Sequence, residues 1–172
     1  MSILRFLLLS PVLYSLTAVA HDEVCHQTDN GEIAQLFERW NNTLLSGDAK
    51  KVVANYAYDS VLLPTLSNLP RLTPDAKEDY FHQFLVKHPA AHIDERTIFI
   101  ACNSATDIGL YTFTFNDGSQ IAARYSFAYQ WDGRQWLIAA HHSSPLPEQP
   151  STTPSEKHWY KLVSLSKRNE RH

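Results

Sequence analysis

Near the carboxyl end of the chain, residues 136–147 read WLIAAHHSSPLP. An apolar strand ends there in two imidazoles and two hydroxyls, groups that move protons, ligate metals or hold anions. Neighbouring residues on a regular strand point to opposite faces, so His141 and His142 cannot both enter one pocket or ligate one ion. The sequence has no HExxH, paired-cysteine or carboxylate-rich signature, so neither a metal nor a cofactor is expected.

Which histidine turns inward depends on the preceding hairpin. A two-residue Asp132-Gly133 turn pairs Trp131 with Arg134 and sets Arg124 opposite His141. Ser126, Ala128, Leu137, Ala139 and Ser143 then share that face, while Tyr125, Phe127, Tyr129, Trp136, Ile138 and His142 share the other. A three-residue loop with a glycine bulge instead joins Arg124 to His142, because a slip of one residue exchanges faces. The first register is preferred. It gives a face of small residues that a helix can approach closely, with Arg124, His141 and Ser143 at its open end. It leaves a broad aromatic face for a subunit interface. An arginine entering a half-buried pocket needs an anionic partner, either a ligand or a carboxylate such as Asp59, Asp107 or Glu95. His141 is then either a satisfied structural histidine or a general base.

The elements that must position these groups are legible in outline. In GEIAQLFERWNNTLLSGD, Ile33, Leu36, Phe37, Trp40 and Leu44 recur at helical spacing, and Gly47 supplies a stop. Asp48 is a good cap for a short second helix through KKVVANYA. DSVLLPTLSNLPRL reads as a strand and then a loop. In TPDAKEDYFHQFL, Thr73 caps a third helix, Pro74 fits its first turn, and Tyr80, Phe81, Phe84 and Leu85 form its apolar face. HIDERTIFIAC, DIGLYTFTF, SQIAARYSFAYQW and RQWLIAAHHSS follow as strands joined by short turns. Helices followed by a meander predict an α+β domain, a curved antiparallel sheet wrapped around its amino-terminal helices.

The 172 residues suit one such domain, and a hydrophobic fraction of 44% with a charged fraction of 19% is ordinary for a soluble protein. A net charge of -3 gives no reason to expect nucleic acid or an anionic membrane as partner. Residues 1–20, MSILRFLLLSPVLYSLTAVA, carry Arg5, an apolar run and Ala18-Val19-Ala20, the marks of a signal peptide cleaved after Ala20. The alternative is an uncleaved anchor, for which the run is short and broken by Pro11. Export predicts a periplasmic or secreted protein that keeps no membrane contact once the signal is removed. In an oxidising compartment Cys25 and Cys102 predict a disulfide, the alternative being two free thiols. The expected organisation is a signal at 1–20, an arm at 21–31, the domain at 32–148, and a Pro/Ser-rich linker with a basic-aromatic tail at 149–172.

LFERWNNTLLSGDAKKVVANYAYDSVLLP, TPDAKEDYFHQFL, GLYTFTF, ARYSFAYQWDGRQWLI and HHSSPLP, in that order, resemble the bacterial secreted relatives of the calcium/calmodulin-dependent protein kinase II association domain. That group is SnoaL-like, within the nuclear transport factor 2-like superfamily. The resemblance spans about Glu32 to Glu148, and ARYSF…W…HHSS is its most specific part. It implies a cone-shaped half-barrel of cystatin-like fold enclosing a pocket, and a homodimer or larger ring. In the kinase the domain is a non-catalytic hub whose pocket binds small carboxylates through arginine and histidine. Carried onto this chain, Arg124, His141 and Ser143 fall on pocket strands, and Tyr56, Arg71, Tyr80 and Tyr111 sit in segments that could close the pocket. Trp40, Tyr80 and Phe113 could supply apolar walls. The expected function is therefore a non-catalytic oligomeric domain holding a small acidic ligand. An enzyme of the SnoaL type, an isomerase, cyclase or hydrolase with His141 or Asp59 as general base, is the alternative. A protein-binding module is a third.

Overall fold

Helix α1, Asn30–Leu45, forms because its apolar residues fall on one stripe, and Ile33, Leu36, Phe37, Trp40 and Leu44 are all buried. Asp29 caps it by accepting from the Glu32 amide at 2.8 Å, worth about 1 kcal/mol. Each buried large side chain contributes roughly 1.5–3 kcal/mol, so the stripe outweighs the cap and fixes the helix in place. The computed structural model describes residues 24–65 and 67–147. The leader expected at 1–20 and the tail expected at 149–172 lie outside the described residues.

Helix α2, Ala49–Val53, starts on Asp48 as its sequence indicates, yet stops well short of Ala57. The Asn55 amide donates to the carbonyls of Lys51 and Val52 at 3.1 Å each, taking up the acceptors that a further turn would have used. The chain then enters strand β1, Tyr56–Leu63. Helix α3, Pro74–Leu85, begins on the Thr73 cap with proline in its first turn. It is followed by β2 (Ala90–Ala101), β3 (Ser104–Thr114), β4 (Gln120–Trp131) and β5 (Trp136–Pro145).

The sheet order is β1-β5-β4-β3-β2. The last four strands are antiparallel neighbours, as the short joins require, whereas β1 adds to β5 in parallel. Parallel pairing is open to β1 because almost the whole domain separates it from β5. The architecture is α+β, a five-stranded curved sheet holding the amino-terminal helix against its inner face. Phe37 of α1 meets Tyr111, Tyr125 and Phe127, and Trp40 meets Phe113 and Phe127. Asn41 fixes the helix to β2 by exchanging two hydrogen bonds of 2.9 Å with the Ala91 backbone.

Besides a register irregularity in β1 between Tyr56 and Val61, two bulges interrupt the ladders of the sheet. In β2 the register slips between Ile93 and Glu95, and Gly109 of β3 lies under the slip. A Cβ at Gly109 would fall 1.8 Å from the Glu95 carbonyl oxygen, so only glycine allows this approach. In β5 the register slips opposite Ala128/Tyr129, where Ala139 is the extra residue.

The second bulge, with a four-residue loop, overturns the preferred register. Trp131 pairs with Trp136 rather than Arg134, and the Asp132 carboxylate caps the loop by accepting from the Arg134 and Gln135 amides at 2.8 Å. Trp136 and Ile138 face inward before the bulge, and His141 and Ser143 face inward after it. The aromatic face of Tyr125, Phe127 and Tyr129 is therefore the core and not an interface, because it covers α1. Arg124 lies opposite Ser144, exposed on the outer face that His142 shares.

Cys25 and Cys102 form a disulfide, tying the arm to the end of β2. His26 donates its amide to the Asn103 side chain at 2.8 Å and stacks on Trp131 with centroids 3.6 Å apart. Among the described residues no helix is long and apolar enough to cross a membrane.

Gly109→Ala should destabilise the fold by about 3 kcal/mol, at the upper end of ordinary overpacking, because backbone and not a flexible side chain stands in the way. Urea unfolding followed by tryptophan fluorescence reads the change, and a loss below about 1 kcal/mol would show that the β2 bulge relaxes freely.

Candidate functional site

The concave side of the sheet, α1, α3 and the loop after β1 enclose a pocket. Its walls are apolar and aromatic, with Trp40, Tyr80, Phe81, Phe84 and Phe113 among them. Its polar groups are Thr65, Tyr111, His141 and Ser143. The room inside is small, about 20 Å³ for the centre of a water-sized molecule, little more than a single water needs.

His141 is clamped. Its ring stacks on Phe127 at 4.0 Å and meets the edge of Trp40 at 5.3 Å, and only 4% of the residue is exposed. Behind it, Trp40 Nε1–H donates to the Tyr56 hydroxyl at 3.1 Å, and that hydroxyl lies 2.8 Å from His141 Nδ1. Tyr56 has one hydrogen to give. Donating it to Nδ1 leaves only the Nε2 hydrogen without a partner, whereas the reverse arrangement strands both the buried phenolic hydrogen and the Nε2 lone pair. The proton of His141 therefore sits on Nε2, a buried atom with no hydrogen-bond partner among the described residues.

A second chain approaches from the sheet. Tyr111 donates to Ser143 Oγ at 2.5 Å, and Ser143 also pairs with the Thr65 hydroxyl. These three hydroxyls form one cluster, since Tyr111 is hydrogen-bonded with Thr65 as well as with Ser143. His141 and the three hydroxyls line the same small volume, a set of residues suited to the oxygens of a small oxyanion.

The pocket is electrically neutral. Burial, reinforced by like charge on His142, pushes His141 down to about 3, so the ring is uncharged at physiological pH. Burial likewise pushes Tyr80 up to about 12 and raises Tyr56 and Tyr111 further. An imidazole this hard to protonate is a poor general base and a good neutral donor.

The structure brings Trp40, Tyr80, Tyr111, Phe113, His141 and Ser143 to one cavity, with Tyr56 directly behind His141. It does not bring Arg124 or Asp59 there. Arg124 is turned to the outer face by the β5 bulge, and Asp59 is exposed on β1, where it cannot act on a pocket ligand. Arg71 lines an adjoining cleft and not the cavity itself. Asp107, offered as a partner for Arg124, is instead buried on the inner face. There it meets Arg96 Nε at 3.2 Å and accepts from Tyr125 at 2.8 Å. Burial raises its carboxyl, partly offset by Tyr125 and Arg96.

Sequence reasoning passed over Thr65, which follows Pro64 in a loop with no periodic pattern, and the use of Phe81 and Phe84 as pocket walls. The second could have been found, because both lie on the apolar face of α3. Among the described residues no three of His, Cys, Asp or Glu come together as a metal site.

Residues 29–147 match the family described as the calcium/calmodulin dependent protein kinase II association domain. A solved structure from Xanthomonas campestris, described as an association domain of that kind, is 41% identical. The match covers 76% of this chain and all of that one, with a TM-score of 0.68. An NTF2-like protein of unknown function from Pseudomonas putida KT2440 is 23% identical, with coverage of 71% and 89% and a TM-score of 0.61. The iota-carbonic anhydrase of a cyanobacterium, solved with bicarbonate, is 21% identical, with coverage of 76% and 100% and a TM-score of 0.66. The last two share the fold. No curated protein matches the chain.

In the unfolded chain His141 takes up a proton near pH 6.5, and in the fold only near 3. Its contribution to stability is complete above pH 6.5 and drains as pH falls toward 3, by up to about 1.4 kcal/mol per pH unit. His141→Gln removes that contribution. Urea midpoints at pH 7, 6 and 5 should therefore fall more steeply for the parent than for the variant. Parallel curves would mean that the imidazole titrates normally.

Proposed function

The chain belongs to the calcium/calmodulin-dependent protein kinase II association domain family, and from that premise we propose that its pocket binds bicarbonate and interconverts it with carbon dioxide. The observation that carries this reading is that His141, whose buried Nε2 has no partner among the described residues, and the Thr65, Tyr111 and Ser143 hydroxyls line one small, aromatic-walled pocket. The bicarbonate complex of a protein with this fold supports it.

Carbon dioxide is apolar overall and suits walls such as Trp40, Phe81 and Phe113. Water attacks its carbon, and negative charge develops on the oxygens. In that direction CO2 and H2O give HCO3⁻ and a proton that leaves for a base in solution. His141 and the pocket hydroxyls, as donors, would strengthen their hydrogen bonds as charge grows, which lowers the barrier more than it stabilises the reactant. Neutral donors also suit turnover, because a buried cation would hold the anionic product tightly. The roles are then His141 and the Thr65/Ser143 hydroxyls as oxyanion donors, Tyr111 as positioner of Ser143, and Tyr56 and Trp40 as positioners of the imidazole.

Stopped-flow hydration of CO2 with a pH indicator tests this. The mature protein should accelerate the reaction, and His141→Ala should lower kcat/KM by about 10²-fold, the usual cost of one oxyanion donor. Line broadening of ¹³C-bicarbonate reads binding separately. Binding without hydration would leave a ligand-holding domain with no chemistry, and no binding would overturn the proposal.

Assembly is a second, independent part of the reading. On the outer face Ser126, Ala128 and Ala140 with Thr106, Val61 and Leu63 form a shallow, largely apolar depression. Small side chains there leave room for a second copy, and the family's association role supports a homodimer or larger ring through this face. The disulfide supports an exported, periplasmic or secreted location. Native mass spectrometry should report a dimer or ring that Ala128→Arg converts to monomer, and a monomeric parent protein would sink the assembly.

A further inference from the structure

Hydration releases a proton that the inner pocket has no group to keep. His141 resists protonation, and the hydroxyl chain of Tyr111, Ser143 and Thr65 conducts hydrogen bonds without storing charge. Beside that pocket lies a separate, more open cleft, with about 220 Å³ for the centre of a water-sized molecule, lined by Ser67, Arg71, Tyr80, Gln83, Phe84 and Lys87. Tyr80 and Phe84 belong to both spaces, so a single aromatic wall divides them.

The cleft is cationic and contains no carboxylate. Arg71 is held by its backbone, which exchanges hydrogen bonds with Leu62 of β1 at 2.9 and 3.1 Å. Its guanidinium sits 5.8 Å from the Tyr80 ring and donates to Ser67 Oγ at 3.1 Å, while its buried Nε has no hydrogen-bond partner among the described residues. Neither Arg71 nor Lys87 is in an ion pair among the described residues. Lys87 lies over Phe115, and the carboxylate that feels its charge, Asp117, already accepts from the Ser119 amide and hydroxyl. Thr65 of the hydroxyl cluster stands two residues before Ser67 on the same loop. Two cations and two polar side chains, Ser67 and Gln83, therefore line a cleft that shares the Tyr80/Phe84 wall with the pocket holding Thr65.

We propose that this cleft docks a small dianionic oxyanion base, of which inorganic phosphate is the simplest, and that this base receives the proton released in the adjoining pocket. The inference rests on the hydration reading. The step balances as CO2 + H2O + HPO4²⁻ giving HCO3⁻ + H2PO4⁻. The charge of the base falls from two to one as it accepts the proton, which weakens its hold on Arg71 and Lys87 and lets it leave.

The test compares CO2 hydration in phosphate with hydration in 1,2-dimethylimidazole at matched pH and ionic strength. A ³¹P line-broadening titration runs alongside it. The rate in the parent protein should rise and saturate with phosphate, and phosphate should broaden on binding. In Arg71→Met the ratio of the rate in phosphate to the rate in dimethylimidazole should fall about tenfold. Lys87→Met, at an exposed side chain, should lower the same ratio and keeps the test independent of any folding defect in the first variant. Hydration with equal buffer dependence in parent and variants would overturn the cleft's role while leaving the pocket's intact. Absence of hydration in either buffer would overturn both, and the ³¹P titration would then show whether an anion docks at Arg71 without serving a reaction.

Discussion

One extra residue in β5 decides what this protein's interior is made of. Ahead of Ala139 the inward side chains are Trp136 and Ile138, and beyond it they are His141 and Ser143. Without that bulge, alternation would carry His142 inward behind Ile138 and leave His141 outside. The aromatic core side chains of β4, the helix they cover and the donors of the pocket all sit on one face because the bulge moves the last turn of the pattern across.

Burial then sets the chemistry. His141, Tyr56 and Tyr111 lie among aromatic rings, where charged forms are costly, so each stays neutral and acts through its hydrogen rather than through a charge. The tautomer of His141 follows from hydrogen-bond accounting through Trp40 and Tyr56, two residues with no contact to the ligand space except the indole face. Of the buried charged side chains, Asp107 is paired with Arg96, whose guanidinium lies 5.5 Å from the Phe37 ring, while Lys77 is buried on α3 with no hydrogen-bond partner for its Nζ among the described residues. The inner space is lined by neutral groups, and the cations Arg71 and Lys87 line the adjoining cleft.

The two faces of the sheet carry separate duties. Large aromatics fill the inner face because α1 must be covered, and small residues fall on the outer face of β4 and β5 because they alternate with those aromatics. Sequence patterning registers both sets but not which set is inside. A face of small residues accommodates a helix or a second sheet equally well, and the wrong choice between these sent Arg124 to the pocket and the aromatics to an interface.

The three helices, the caps of α2 and α3, the apolar stripe of α1, the antiparallel meander of the last four strands and the family were legible in the sequence, because each rests on local spacing or on a quoted motif. Helical periodicity survives without tertiary context, and Asp48 and Thr73 cap where their short side chains demand, while the Asp29 cap of α1 fell inside the stretch read as an arm. His141 and Ser143 were legible as pocket residues only through being placed together, two apart on one strand. The end of α2 at Asn55, the parallel pairing of β1, the close approach at Gly109 and the exclusion of Arg124 and Asp59 were decided by the tertiary structure. Each depends on a contact between distant segments, and a bulge at Ala139 adds no residue type that a reader of WLIAAHHSS could recognise. Its cause is the curvature needed to wrap the sheet around α1, which exists only once the helix is packed.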